Sequence, residues 1–459
     1  MCDYRTKEWM VTLPLSGTGG PRGRAAVRGA FLGFLIDNFD IYLPVVALAP
    51  AISYFMPPTL DPGTLALATS WIFVATLVGR PLGASIFGNL GDSIGRRKAT
   101  LIAVGGFGVV TLVIGLLPGY QSWGAGSIVA LVVLRFIDGV FLGGEYSGAN
   151  VLAMEESAKE RRGAAGGLVQ AGATVAWVLM SLVTLGIFQF AAPGGVHSAY
   201  SQWGWRISFF IGSALAMAFL LYYRRTVEES SIWAKAPTNK LSALTLVRGR
   251  AARVFLQVFV LMTGLWLLLN CATALLPGVL GSRARLSSSQ ITVALIIMYT
   301  AITIVFLIGG RLSQRSGRRT YFIVTGLAAL VLGVPAYALL ITSTGRSFGL
   351  AVLFATLAGM FIVAPWAVVT PYLAERFRTE NRAAGFGLGY SLAVIIPAFY
   401  ASYQLGLAKV MPAELTVLVL VVIGSVLVVA AAMAGPETKD VDFRVQPEAE
   451  PRTAPAVTS

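Results

Sequence analysis

The chain has 459 residues, of which 56% are hydrophobic and 12% charged, and a formal net charge of +14. A soluble domain carries about twice that charged fraction, and a mean hydropathy of +0.75 excludes one. The positive excess does not mark a nucleic-acid binder, because the Lys and Arg are spread over short loops rather than gathered on one face.

In chain order, residues 1–28 read as an N-terminal tail rich in Gly, Pro and Arg, without the apolar run of a cleaved signal. Six apolar stretches follow, each long enough to cross a bilayer, which takes about 20 residues. They are predicted at 29–56, 65–88, 99–117, 127–154, 163–190 and 206–223, forming an N-terminal bundle over 29–223. Residues 224–252 read as a cytoplasmic linker. Six more spans, at 253–280, 289–310, 320–341, 347–374, 383–408 and 414–434, form a C-terminal bundle over 253–434, followed by a tail at 435–459. The expected fold is an all-α polytopic membrane protein with twelve transmembrane helices in two pseudo-symmetric six-helix bundles.

Most of the 35 Lys and Arg fall in the tails and in the loops after even-numbered spans. The opposite side holds Arg206, Arg283, Arg285, Arg346 and Lys409, and only Arg80 and Arg135 lie inside spans. This asymmetry places both termini in the cytoplasm and the protein in the plasma (inner) membrane. Cys2 and Cys271 sit in a tail and in span 7, where no disulfide is expected. The single histidine, His197, reads as a solvated residue of an outer loop. The sequence holds no catalytic triad, no Cys/His metal spacing and no phosphate-binding loop, so neither an enzyme nor a cofactor is expected.

Two segments recur. Gly88-Asn-Leu-Gly-Asp92-Ser-Ile-Gly95-Arg96-Arg97 returns as Gly310-Arg-Leu-Ser-Gln314-Arg-Ser-Gly317-Arg318-Arg319. The Glu155…Arg162 spacing returns as Glu375…Arg382. Duplication at equivalent places in two halves is the mark of a transporter built from repeats. The glycines permit a tight turn. Asp92 can face the positive N-terminus of a neighbouring helix, and Arg96 and Arg97 can pair with Glu155 or Glu375 to hold an inner gate. Because Gln314 replaces Asp92, the first copy is expected to latch the gate and the second mainly to set topology.

The Gly88–Arg97 run resembles the inter-span signature of the major facilitator superfamily. Further stretches narrow the resemblance to its metabolite:proton symporter family, near the sugar porters: Arg80-Pro-Leu-Gly83, Arg135-Phe-Ile-Asp138-Gly-Val-Phe-Leu-Gly-Gly-Glu145, Trp203-Gly-Trp-Arg-Ile-Ser-Phe209, Glu228-Glu-Ser-Ser-Ile-Trp233 and Gly435-Pro-Glu-Thr-Lys439. It covers residues 29–440. The chain departs from the family at Ser208 and Ser231, where proline is usual. The resemblance implies alternating-access transport of citrate, dicarboxylates, shikimate, aromatic acids, proline or betaine. It also implies that an acidic residue of span 1 pairs with an arginine of span 4, positions matched by Asp40 and Arg135.

Intramembrane charges are costly and point to function. They are Asp37 and Asp40 in span 1, Arg80 in span 2, and Arg135, Asp138 and Glu145 in span 4, all in the first half. Asp37 and Asp40 share a helix face, as do Arg135, Asp138 and Glu145. Asp40, Arg135 and Asp37 are therefore expected to couple transport to protons, with Glu145 a structural partner. A guanidinium binds a carboxylate through two parallel bonds, so Arg80 suits an acidic substrate, or else pairs with Asp37 or Asp138 and never meets substrate. Gln170, Asn270, Trp266, Tyr299, Trp366 and Tyr390 are the expected neutral contacts. The reading is proton-coupled uptake of a small organic acid by a monomer whose other partners are protons and membrane lipid. Drug or metabolite antiport, or symport of a sugar or zwitterion on the same fold, is the alternative. Span 5 lacks the Gly-Pro-rich signature of drug antiporters, which favours import.

Overall fold

Lipid offers no partner to backbone N–H and C=O groups, so a chain this apolar must satisfy them within helices. A computed structural model describes residues 20–57, 60, 62–230, 246, 249–343 and 347–443. Every regular element among them is helical. Twelve helices are long and apolar enough to cross a membrane: span 1 Gly20–Tyr54, span 2 Trp71–Ile94, span 3 Arg96–Gly115, span 4 Gly126–Glu155, span 5 Lys159–Phe188, span 6 Tyr200–Thr226, span 7 Ala251–Ser282, span 8 Ser288–Ser316, span 9 Arg318–Thr342, span 10 Phe348–Arg376, span 11 Arg382–Leu407 and span 12 Ala413–Ala434. Of the expected tails and linker, residues 1–19, 231–245, 247–248 and 444–459 lie outside the described residues.

The structure moves several expected boundaries. Span 1 begins at Gly20, inside the expected tail, and span 2 runs to Ile94 instead of stopping at 88. Hydropathy registers only the apolar middle of a helix, whereas backbone bonding carries the helix on through polar residues. The duplicated motif is therefore not a ten-residue turn. Gly88–Ile94 is the last part of a helix, Gly95 alone turns the chain with φ 107°, and Arg96 opens the next helix. Gly317 does the same in the second copy with φ 93°. Only glycine adopts such backbone without strain.

Span 2 packs along span 4 and span 3. The contact with span 4 is backbone to backbone. A Cβ on Gly83 would lie 1.8 Å from the Val140 carbonyl oxygen, and one on Gly143 would lie 2.3 Å from the Arg80 carbonyl oxygen. Small residues four apart permit such approach where no hydrophobic effect drives helices together. This seam brings Arg80 of span 2 beside the charged stripe of span 4. Gly143→Val is expected to abolish folding, with the monodisperse peak in detergent size-exclusion chromatography falling to background.

The halves meet where span 5 packs on span 8 and span 2 on span 11. Several spans are irregular near that meeting. Span 1 passes from α-helix into a π-helical turn at Pro44–Leu48 and a tighter 3-10 segment at Ala49–Tyr54. Span 10 tightens at Ala364–Val368, which includes Pro365 and Trp366, and span 11 at Leu392–Val394, just after Tyr390. Broken helices at membrane depth are tolerated where they line a cavity or are buried in protein.

Candidate functional site

A small cavity lies between the halves, bounded by Asp37, Arg80, Gln170, Trp266, Trp366 and Tyr390. Its free space is about 20 Å³, enough for one water molecule and no more. Five of the seven expected substrate contacts are thus brought together. Asn270 and Tyr299 are not. The Asn270 amide is buried and donates to the Pro397 carbonyl at 3.1 Å, a group at the broken part of span 11. Tyr299 packs against Trp177, centroid to centroid 5.0 Å, behind the cavity wall. Asn38, Tyr42 and Trp177 line the cavity and were not foreseen. Trp177 lies two helical turns beyond Gln170, so helical phase alone points it the same way.

The irregular spans supply the cavity's polar framework. Gln170 Nε2 donates to the Trp366 carbonyl at 3.0 Å, and Thr370 Oγ1 donates to Gln170 Oε1 at 3.0 Å. Trp266 Nε1 donates to the Tyr390 carbonyl at 2.9 Å, and Trp366 Nε1 to the Leu265 carbonyl at 3.0 Å. Tyr390 stacks on Tyr146 with centroids 3.7 Å apart, and the Arg80 guanidinium stands 5.7 Å from the centre of the Tyr390 ring.

Two buried ion clusters lie in the first half, and the Asp37–Arg80 pair of the first lines the cavity. Arg80 Nη1 and Nη2 donate to Asp37 Oδ1 and Oδ2, each at 3.2 Å, the side-on fork geometry that also fits a free carboxylate. Arg135 Nη1 donates to Asp40 Oδ2 at 3.1 Å and lies 2.9 Å from Asp138 Oδ2. Its Nη2 donates to the Asp40 carbonyl at 3.2 Å and its Nε to Thr76 Oγ1 at 2.9 Å. Thr111 Oγ1 donates to Asp40 Oδ1 at 2.5 Å. Asp37, Asp40, Arg80 and Arg135 are each no more than 2% exposed, so bulk solvent does not screen these charges. Glu145, expected to be a structural partner, has neither an ion pair nor a hydrogen bond.

The duplicated motifs gather at one end of the molecule. Asp92 Oδ2 accepts from the Ala384 N–H, in the first turn of span 11, at 3.4 Å. Gln314 Oε1 accepts from the Gly163 N–H, in the first turn of span 5, at 3.0 Å. The second copy therefore makes the same cross-half contact as the first, and the topology-only expectation for it does not hold. A neutral amide oxygen can cap a helix as a carboxylate does.

Arg96 reaches Asp92 and Glu155, both at 3.2 Å, and the Thr379 carbonyl across the halves at 3.4 Å. Arg318 reaches Gln314 at 2.8 Å and Glu375 at 3.3 Å. Glu155 also holds Arg382 at 2.8 Å, the one ion pair between the halves among the described residues. Arg162 and Arg382 close on the Phe443 ring from either half, at 3.5 and 3.9 Å, and Arg162 Nη1 donates to the Val441 carbonyl at 2.6 Å. Among the described residues, Arg97 and Arg319 take no carboxylate with their guanidinium groups. They donate instead to carbonyls at the far ends of spans 6 and 12, those of Arg224 at 2.5 Å and Met433 at 3.0 Å.

A third duplication escaped the sequence reading. Glu229 accepts from the N–H groups of Arg96 and Arg97, and Glu437 from those of Arg318 and Arg319, each a carboxylate at a helix N-terminus. The following Ser230 and Thr438 donate to Glu155 and Glu375 at 2.5 and 2.7 Å. The signal was an acidic residue followed by a hydroxyl residue after spans 6 and 12.

This architecture has known counterparts. The family model described as "Sugar (and other) transporter" matches residues 28–246. The alpha-ketoglutarate permease of Escherichia coli (strain K12) is 30% identical over 388 residues, covering 82% of this chain and 85% of that protein. The inner membrane metabolite transport protein YhjE of the same strain is 28% identical over 386 residues, covering 82% and 85%. The solved structure of the proton:xylose symporter XylE superposes with a TM-score of 0.70 at 17% identity, covering 90% of this chain and 94% of that one. The chain is a transporter rather than an enzyme, and it belongs to the major facilitator superfamily, with the metabolite:proton symporters near the sugar porters.

Proposed function

We propose that the protein imports a small organic acid together with protons, by alternating access, as a monomer in the plasma (inner) membrane with both termini cytoplasmic. The observation that supports this most is the Arg80 fork at the cavity wall, occupied by the Asp37 carboxylate. A substrate carboxylate fits the same fork once Asp37 is protonated and lets go. The alpha-ketoglutarate permease, a carrier of a carboxylate by its name, points the same way. On this reading the motif-bearing end is the cytoplasmic gate. It is closed here by the Glu155–Arg382 pair and the two helix-capping contacts. On the side of the cavity away from the motifs the halves are joined by Thr174–Thr303 at 2.7 Å and Tyr42–Thr273 at 3.2 Å. With the halves joined on both sides and the cavity shrunk to one water, the state is occluded.

Asp40 is the proposed coupling residue. A carboxylate that gains and loses an arginine partner during the cycle swings between ionised and protonated. Uptake into proteoliposomes under a pH gradient, across a panel of acids, zwitterions and sugars, tests the whole proposal; accumulation of neutral sugars alone would refute it. Arg80→Lys keeps the charge but loses the fork. Losing one charge-assisted bond of about 1.5–3 kcal/mol raises KM for the acid roughly ten- to a hundredfold, measured as concentration-dependent uptake. A second reading, symport of a zwitterion, is favoured by the aromatic cluster of Trp266, Trp366 and Tyr390, whose centroids lie 4.9–5.9 Å apart. Ring faces attract an ammonium group. Retained transport of such a substrate by Arg80→Lys would select it.

A further inference from the structure

The buried charges of the first half do not balance. Asp37, Asp40, Asp138 and Glu145 face only Arg80 and Arg135, and all six are buried to at least 98%. Fully ionised, this cluster would hold two excess negative charges in a medium that cannot screen them, a cost of several kcal/mol for each unpaired ion. Asp40 and Asp138 share Arg135, so one proton shared by this pair balances that cluster. Asp37 takes both prongs of Arg80. Glu145 is left over: neither oxygen has a hydrogen-bond donor, and the carboxyl is pressed against the backbone of span 1, where a Cβ on Gly33 would stand 2.2 Å from Oε1.

The titratable and charged groups facing Glu145 are Asp37 on span 1, Arg80 on span 2, Tyr223 on span 6 and Tyr146 on its own helix. An isolated buried carboxyl survives as the neutral acid, because the ion would have to be left unpaired. The chain has thus built two separate places for a proton, one at Asp40/Asp138 beside Arg135 and one at Glu145 beside the Asp37–Arg80 fork.

We propose that Glu145 is a second proton-carrying residue of the transport cycle, loaded and discharged independently of Asp40, so that two protons cross with each substrate. This rests on the proton-coupled reading and deepens it. Glu145 takes its proton as O–H from water on the side of higher proton concentration. When substrate displaces Asp37 from the Arg80 fork, Asp37 takes the Glu145 proton; when the gate opens and substrate leaves, that proton passes to water on the other side, Asp37 returns to Arg80, and Glu145 is left as the carboxylate that takes up the next proton. No bond other than O–H forms or breaks.

The test uses the full chain in lipid with 2-oxoglutarate as the transport probe. With the membrane voltage clamped to zero and a gradient of about one pH unit, each coupled proton is worth about tenfold in accumulation. Glu145→Gln is expected to accumulate 2-oxoglutarate about tenfold less than the parent while still accumulating it, and Glu145→Asp to recover most of the loss. The infrared C=O band of carboxyls that stay protonated at neutral pH, where exposed carboxyls are ionised, is expected to fall by about half in Glu145→Gln and to vanish when Asp40→Asn is added. An unchanged band in Glu145→Gln overturns the proposal, even if that variant transports poorly. A halved band with undiminished accumulation makes the proton a resident one and overturns it too. If the parent accumulates nothing in the gradient, the symport reading itself fails, and the second coupled proton with it.

Discussion

Asp40→Asn is expected to lose the proton carried at Asp40, and with it about tenfold of the proton-driven accumulation, while keeping counterflow exchange of substrate across the same membrane. The amide has the size of the carboxylate and can still accept from Thr111 Oγ1, which donates to Asp40 at 2.5 Å. What it cannot do is alternate between an ion held by Arg135, 3.1 Å away, and a neutral acid. Arg135 keeps Asp138 at 2.9 Å and so stays neutralised, which is why the variant should fold. Counterflow needs only binding and alternation, whereas accumulation needs the proton. In a gradient of about one pH unit, loss of a coupled proton lowers accumulation about tenfold. Uptake of labelled substrate with and without the gradient, beside exchange in preloaded vesicles, checks this. Accumulation equal to that of the parent would remove Asp40 from the mechanism.

The twelve spans were legible because the bilayer imposes a length and a polarity that few other constraints can mimic. The charges of the site were legible for the same reason: Arg80 and Arg135 stand out only because the surrounding residues are apolar. Helix ends were less so, since Gly88–Ile94 is helical for reasons of backbone bonding that hydropathy does not register. The neutral cavity wall was legible only where helices stay regular. Gln170 predicts Trp177 by phase, but the tightened segments at Ala364–Val368 and Leu392–Val394 reset the phase of spans 10 and 11. No periodicity argument could have turned Asn270 away from the cavity towards the Pro397 carbonyl. Nor does a hydropathy profile show that Gln314 can cap a helix as Asp92 does, because that depends on an amide N–H arriving from the other half.

The gate is symmetric in its caps and asymmetric in its ion pairs, and that difference has a large consequence. Glu155 serves both Arg96 of its own half and Arg382 of the other, and all three are at most 5% exposed. Glu375 serves Arg318 and Thr438, both within the second half. Glu155→Gln leaves Arg382 without its carboxylate, and Arg96 with Asp92 alone, only while this end is shut; once it opens, water reaches them. Removing one partner of a buried pair costs about 3–5 kcal/mol, and here the closed state alone bears that cost. The equilibrium should therefore shift towards opening at the motif end by roughly a hundred- to several thousandfold. Glu375→Gln should shift it far less, because Arg318 keeps Gln314 and Ser313 whether or not the halves part. A cysteine at Ser147, whose hydroxyl lies where a Cβ on Gly387 of the opposite half would stand, reports the opening when Cys2 and Cys271 are replaced. Its labelling by an impermeant maleimide from the motif side is expected to be fast in Glu155→Gln and slow in Glu375→Gln and the parent. Equal labelling in the two variants would mean that the helix caps, and not the Glu155 bridge, hold the gate.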